Sequence, residues 1–441
     1  MPQDVYFNEG REKLPRSEIE EAQSKLFRQT LNIAYNNSLF YRRRFDSAGI
    51  SPADISGIDD LQKIKLFTTK EDLRTAYPFG MLTVPRESVV EVHASSGTTG
   101  TPTLGLHTRK DLESWGEISA RSLVMSGLNQ RDIFQITPSL GMFSGGFGFY
   151  HGARKIGAMI VPASAGFSKR QIQFMIDFGT TMLSAIVSYA LRLAEIAHEM
   201  GVEPAKDTKV RKGIFGSEIW TKEMKQKISR IWDLEPYDIY GFTELYGPGV
   251  GNDCRVHDGL HMWEDHFLVE VIDPETGEIV GPEEEGELVF TTLTKEAMPL
   301  IRYRSRDISK LYASSSCDCG RTHQRYGQIR ARSDDMIKIS GVNFWPSMIE
   351  SVLLREPRLG PEYRIRVSRV DFNDRMSIEV ESRELIQSLE AREDLQRKLS
   401  AELQSLLLFS PEISIVDPNS LPRVEVGKMT RIIDERKNTS S

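Results

Sequence analysis

From Arg16 to about Asp46 the chain is helical in pattern, with apolar residues at Ile19, Ala22, Leu26, Leu31 and Ile33, which predicts a helical start. Ser17, followed three residues on by Glu20, predicts a capping box there. A short helical piece follows near Leu61 to Ile64, and Thr69 stands where it can cap a helix from Lys70 to Ala76. Further on, apolar runs at Ile133 to Ile136 and Ala158 to Val161 read as strands, and longer periods at Lys169 to Asp177 and Tyr189 to Met200 read as helices. This alternation predicts a buried parallel or mixed sheet flanked by helices. Between Gly259 and Leu311 the period falls to two, as in His266 to Ile272 and Gly286 to Thr291, which predicts an antiparallel sheet or barrel. Strands near Ile365 to Val367 and Met376 to Glu381, and a helix from Glu390 to Leu407, form a last group. The expected class is α/β, multidomain: a large N-terminal domain over 1–333, with mixed sheets and a barrel-like part, and a small α+β domain over 334–441.

A chain of 441 residues exceeds the usual size of one hydrophobic core, which supports that division. The net charge of −7 argues against nucleic acid as the main partner, so anionic substrates must meet local positive charge. No basic start followed by an apolar run is visible at the N-terminus, and no later stretch is apolar enough to span a membrane. The expectation is a cytoplasmic protein with no membrane partner. Three cysteines, an odd number, argue against a disulfide framework.

Candidate chemistry begins directly after the apolar Val89 to Val92, with Ser95, Ser96, Gly97, Thr98, Thr99 and Gly100, then Thr101-Pro102-Thr103. Glycines let backbone approach an anion and hydroxyls donate to its oxygens, so the run suits phosphate. Each donor to a charged oxygen contributes about 1.5–3 kcal/mol. No lysine follows Gly100, which sets the run apart from the usual Gly-x-x-x-x-Gly-Lys-Ser/Thr loop; by composition alone a surface linker is an equal reading. Leu140, Phe143, Ser144 and Phe149 lie in a run of small and aromatic residues that suits a flat acyl group or, equally, tight packing between elements. Cys317 and Cys319 form a close pair, and strand alternation around an Asp258-Gly259 hairpin turn places His261 on the face of Cys254. Cys254, His261, Cys317 and Cys319 are a set suited to structural zinc, with His257 the alternative fourth ligand. Three buried thiols without a chemical role are the other reading.

Several ordered stretches besides the Ser/Thr/Gly run resemble the phenylacetate-CoA ligase family of adenylate-forming enzymes. They are Thr69 to Arg74, Tyr240-Gly-Phe-Thr-Glu244, Thr291-Thr-Leu-Thr-Lys-Glu296, Tyr303-Arg-Ser-Arg-Asp307 and Arg332-Ser-Asp-Asp335, and the resemblance covers nearly the whole chain. It implies an ATP-dependent aryl-acid CoA ligase that works through an acyl-adenylate, releasing AMP and pyrophosphate, with magnesium and CoA, and a homodimer. By resemblance, the Ser95 to Gly100 loop holds phosphate, Gly216, Ser217 and Glu218 lie along adenine, and Tyr240, with Gly241 and Phe242, stacks by it. Thr243 then stands at the α-phosphate, Glu244 ligates magnesium and Asp307 takes the ribose hydroxyls. Arg332 lies near ribose and phosphate, Asp334 is the hinge, Lys338 to Gly341 line the pantetheine path, and Lys428 is the adenylation lysine. Many relatives carry lysine where Thr101 stands. Phenylacetate enzymes tend to carry tyrosine at the position of Leu140 and a small residue at that of Phe149, which predicts a shortened pocket and a benzoate-like acid here. Transfer to a carrier-protein thiol or an amine, and a non-catalytic nucleotide-binding module, are the competing functions.

Overall fold

The structure, a computed structural model, describes residues 5–95, 101–334, 337–339, 342–370, 373–407, 409–423 and 431–438. It divides into two compact units, Met1–Glu218 with Ile228–Ile329, and Ile219–Lys227 with Arg330–Ser441.

In the larger unit, helix α1 (Arg16–Asn37) buries Ile19, Phe27, Leu31 and Ala34 on one face, as its apolar spacing requires. It starts directly after Pro15 with no side-chain cap, so Ser17 falls inside the first turn and the expected box with Glu20 does not form. Ser38 is extended (φ −113°, ψ 118°) and splits the predicted long helix, leaving α2 (Leu39–Ser47) as a separate piece. The cap at α3 (Lys70–Thr75) forms fully: Thr69 and Asp72 exchange both bonds of a capping box.

A hairpin of β1 (Val89–Ala94) and β2 (Leu104–Thr108) brackets the Ser/Thr/Gly run and leads into α4 (Arg109–Met125). There follow β3 (Ile133–Ile136), α5 (Ser144–Ile156), β4 (Met159–Val161), α6 (Ser168–Phe178), β5 (Met182–Ile186), α7 (Val187–Glu199) and β6 (Lys212–Gly216). Next come β7 (Glu235–Phe242), β8 (Gly247–Asp253), β9 (Leu260–Met262), β10 (Phe267–Ile272), β11 (Gly286–Thr292), β12 (Tyr303–Ser309) and β13 (Arg325–Tyr326). One sheet of eight strands has the order β13-β9-β8-β7-β6-β5-β3-β4. Strands β3 to β7 in it run parallel, and β8, β9 and β13 extend it antiparallel. β10, β11 and β12 pair antiparallel, as the period of two predicts, but every residue of β10 and β11 is buried, so both faces are covered. The start of that predicted segment departs from it: Leu260–Met262 joins the large sheet beside β8.

The smaller unit has a four-stranded sheet. Leu359–Val370 and Asn373–Ser382 form its antiparallel centre, with Glu412–Val416 and Ile432–Asp434 as parallel edges. Helix Leu389–Leu407 buries Leu395, Leu399, Leu403 and Leu407, four residues apart on one stripe, each contributing about 1.5–3 kcal/mol of burial. Among the described residues no helix is long and apolar enough to cross a membrane.

Candidate active site

Open α/β sheets bind ligands beyond the carboxyl ends of their parallel strands. Beyond β6 and at the end of β7 stand Gly216, Ser217, Glu218 and the Tyr240 to Glu244 segment. The strand runs past Tyr240 through Gly241 and Phe242. Gly241 allows this, because a Cβ there would lie 1.8 Å from the Gly247 carbonyl oxygen on the neighbouring strand. Ser217 takes a left-handed conformation (φ 69°). The Glu218 carboxylate accepts from the Ser188 N–H and hydroxyl, both at 2.8 Å, which fixes this turn to the first residues of α7.

Tyr240 donates its hydroxyl to Asp307 Oδ2 at 2.6 Å, and its ring lies against Phe290 at 5.9 Å. Burial, then the Asp307 charge, push the Tyr240 phenol well above its ordinary value, so it stays a donor. Asp307 is buried on β12, and its own N–H donates to Ser305 Oγ at 3.0 Å. Arg304 donates to Glu287 from two guanidinium nitrogens, at 2.6 and 3.1 Å, and the Arg306 N–H donates to the same carboxylate. A carboxylate set this way can accept from two adjacent hydroxyls of a ligand.

Thr243 and Glu244 are both buried. The Thr103 hydroxyl donates to Glu244 Oε1 at 2.7 Å and shares a further hydrogen bond with Ser95 Oγ at 2.8 Å. The Tyr303 hydroxyl donates to the same Glu244 oxygen at 3.4 Å, and the Ser144 and Thr243 hydroxyls lie 2.9 Å apart. Hard carboxylate and hydroxyl oxygens converge here from the residue before β2, from β12, from α5 and from the end of β7, the donor type that suits magnesium and phosphate. Sequence reasoning singled out Ser95, Ser144, Thr243 and Glu244, placed Thr103 in the run that suits phosphate, and missed Tyr303 and Lys295. Both missed residues lie inside the stretches that carry the family resemblance. Lys295 donates to the Glu244 carbonyl at 3.1 Å and to that of Leu245, and burial pushes its ammonium down to about 8 against the pull of Asp111 and Glu244.

The expected acyl segment divides into a loop and a helix. Leu140 and Phe143 are half-buried on the loop, with the Leu140 N–H donating to Ser164 Oγ at 3.1 Å. Ser144 opens α5 toward Thr243, but Phe149 belongs to the core with Ile136 and Tyr237 and packs edge-on against Phe134 at 5.9 Å. The Phe149 ring is thus buried against the sheet. The small residues of this helix also serve packing, since a Cβ on Gly148 would lie 2.6 Å from Pro248 and 2.8 Å from Trp115.

At the far end of β8, ligand atoms of Cys254, His261, Cys317 and Cys319 all lie within 4.8 Å of one another. Cys254 Sγ is 3.7 Å from Cys317 Sγ, and Cys319 Sγ is 3.3 Å from His261 Nε2. His257 does not join them: it takes φ 54° and pairs with Asp253 at 2.8 Å and Glu235 at 3.3 Å. Six residues separate β8 from β9, so the connection is longer than the expected tight turn. In the smaller unit Arg332 and Asp334 form a two-bond pair at 2.9 and 3.0 Å. Ser96, Gly97, Thr98, Thr99, Gly100, Ser340, Gly341 and Lys428 lie outside the described residues.

A parallel sheet carrying such oxygen donors at its carboxyl edge, followed by a small α+β unit, is the fold of adenylate-forming enzymes. The model of the AMP-binding enzyme family matches residues 59–293, and that of the AMP-binding enzyme C-terminal domain matches residues 341–436. Phenylacetate-coenzyme A ligase of Aromatoleum evansii is 40% identical over 96% of each chain, and that of Escherichia coli (strain K12) is 40% identical over 95% of each. The crystal structure of 2-hydroxyisobutyryl-CoA ligase in the postadenylation state, in complex with R3-HIB-AMP, aligns with a TM-score of 0.92 at 27% identity, over 99% of this chain and 94% of that one. The chain belongs to the phenylacetate-CoA ligase family of AMP-binding enzymes.

Proposed function

We propose that the protein joins an aromatic carboxylic acid to CoA at the expense of ATP, through an acyl-adenylate. The observation that carries this is the meeting of Thr103, Thr243, Glu244 and the Tyr240–Asp307 pair at one sheet edge, in a chain 40% identical to phenylacetate-coenzyme A ligases. In the first half-reaction the acid's carboxylate oxygen attacks the α-phosphorus and the bond to pyrophosphate breaks. In the second, the CoA sulfur attacks the acyl carbon, its proton is lost and AMP leaves. Asp307 accepts from the ribose hydroxyls, and Gly216 to Glu218 with Tyr240 form the adenine wall. Thr243 meets the α-phosphate, Arg332 lies by the ribose, and the Ser95 to Gly100 loop holds the departing phosphates.

Glu244 is the residue that would hold magnesium, which when bound neutralises phosphate charge. Lys428 would lie between the two anions that must approach, and Asp334 is the hinge of the alternation that brings it there. Positioning and charge neutralisation supply most of such a rate enhancement. The identity to phenylacetate-coenzyme A ligases makes an arylacetic acid the substrate class we favour, and a benzoate is the alternative if Phe149 shortens the pocket. Cys254, His261, Cys317 and Cys319 fit a structural zinc, because three thiolates and an imidazole this close suit tetrahedral coordination. A cytoplasmic homodimer completes the reading, carried by the family resemblance.

Product analysis tests the reading. Purified protein is given ATP, magnesium, a panel of arylacetic and benzoic acids, and either CoA or hydroxylamine. The expected products are AMP and an aryl-CoA thioester, with hydroxamate when hydroxylamine replaces CoA. Hydroxamate without thioester would move the acceptor to a carrier thiol or an amine, and absence of AMP would remove catalysis altogether.

A further inference from the structure

Lys295 is only 4% exposed, yet it carries an ammonium. Its Nζ donates to the carbonyl oxygens of two consecutive residues, Glu244 and Leu245, and lies 5.1 Å above the ring of the third, Tyr246. One side chain thus grips the three residues that leave β7 with the Glu244 carboxylate. The segment bearing Lys295 is itself held in place. The Asp111 carboxylate accepts from the Glu296 and Ala297 N–H groups at 2.6 and 2.9 Å, while closing the capping box of α4 with Thr108. The Thr83 hydroxyl donates to the Glu296 carbonyl at 2.6 Å, and the Thr108 hydroxyl to the Glu296 carboxylate at 2.8 Å. Glu244 is therefore clamped from two directions. Thr103 and Tyr303 hold its carboxylate, and Lys295 holds its peptide from a segment anchored to the start of a helix.

A methionine at 295 would fill similar volume, so packing does not require the charge. It would leave two buried carbonyls without this donor and let the peptide turn, and with it the direction of the carboxylate. We infer that Lys295 is a positioning residue for adenylation: it fixes the main chain of Glu244 and Leu245 so that the Glu244 carboxylate keeps one orientation toward the metal-bound phosphates. This rests on the reading of Glu244 as the magnesium ligand.

The test compares Lys295→Met, Lys295→Arg and Glu244→Gln in the full chain. Acid-dependent exchange of pyrophosphate into ATP is followed across a magnesium titration, beside thioester formation from supplied aryl-adenylate and CoA. Lys295→Met should slow exchange by up to about 10²-fold, as a small displacement of a catalytic group does, raise the magnesium needed for half-maximal rate, and leave thioester formation unchanged. Lys295→Arg, which keeps a charged donor, should recover most of the magnesium dependence. If Lys295→Met does not fold, Lys295→Gln carries the same comparison. A shifted magnesium dependence in Glu244→Gln with none in the Lys295 variants would overturn the positioning role alone. An unshifted Glu244→Gln would overturn the reading of Glu244 and the inference with it.

Discussion

Strand β8 separates two clusters built on opposite principles. Just before it, Thr243 and Glu244 are already hydrogen-bonded by Ser144, Thr103 and Tyr303, so the phosphate or cation proposed for this site would exchange one set of contacts for another. Just after it, Cys254 faces Cys317 at 3.7 Å, with Cys319 and His261 beside them. Thiols are weak hydrogen-bonding groups and their ionised forms repel, so a bound cation would make this closeness favourable. Exchangeable hydrogen bonds suit a ligand that must come and go at every turnover. Soft donors crowded toward one point suit a partner that stays.

That contrast can be broken most severely at Lys428. Lys428→Ala should slow adenylation by about 10²–10³-fold, as loss of one preorganised donor does, and leave thioester formation from supplied acyl-adenylate nearly intact. Equal loss in both half-reactions, measured separately, would make Lys428 a folding or docking residue. A smaller effect is expected at Asp307. Asp307→Ala removes the ribose acceptor and the partner of the Tyr240 hydroxyl, so ATP and AMP affinity should fall by about 1–3 kcal/mol in a titration. Unaltered affinity for both nucleotides would mean that another residue holds the ribose. Glu244→Gln should act less on nucleotide affinity than on the magnesium requirement of adenylation, raising it because an amide binds the cation less well.

Least of all should the rate respond at the other end of β8. Cys317→Ser, or stripping of bound metal, should lower the melting temperature by several degrees while leaving the magnesium dependence where it was. Metal analysis of the purified protein should find zinc, and a zinc-free protein of full stability would end the structural role.

Much of this contrast was legible before any coordinates. The period of two carried His261 onto the face of Cys254, and the β8–β9 pairing bears that out, with Asn252 opposite His261. What alternation could not decide was the fate of His257, which depends on a left-handed turn and on the Asp253 and Glu235 carboxylates. The Tyr240 and Asp307 motifs were each visible, but their 2.6 Å contact joins strands of different sheets and has no local signature. The direction of Phe149 follows from helical geometry: five residues on a helix amount to about 140° of rotation from Ser144, so when Ser144 meets Thr243 the Phe149 ring lies against Phe134 of the sheet. The Ser17–Glu20 pattern failed because Pro15 sets the helix start two positions too early for it.

The central claim is that an adenylate forms at the Thr103–Glu244 cluster before any thiol is needed. Exchange of labelled pyrophosphate into ATP, run with an arylacetic acid and magnesium but without CoA, addresses it directly. Exchange should require the acid, proceed without CoA and fall sharply in Glu244→Gln. Exchange that appears only when CoA is present, or that is indifferent to the acid, would contradict the account.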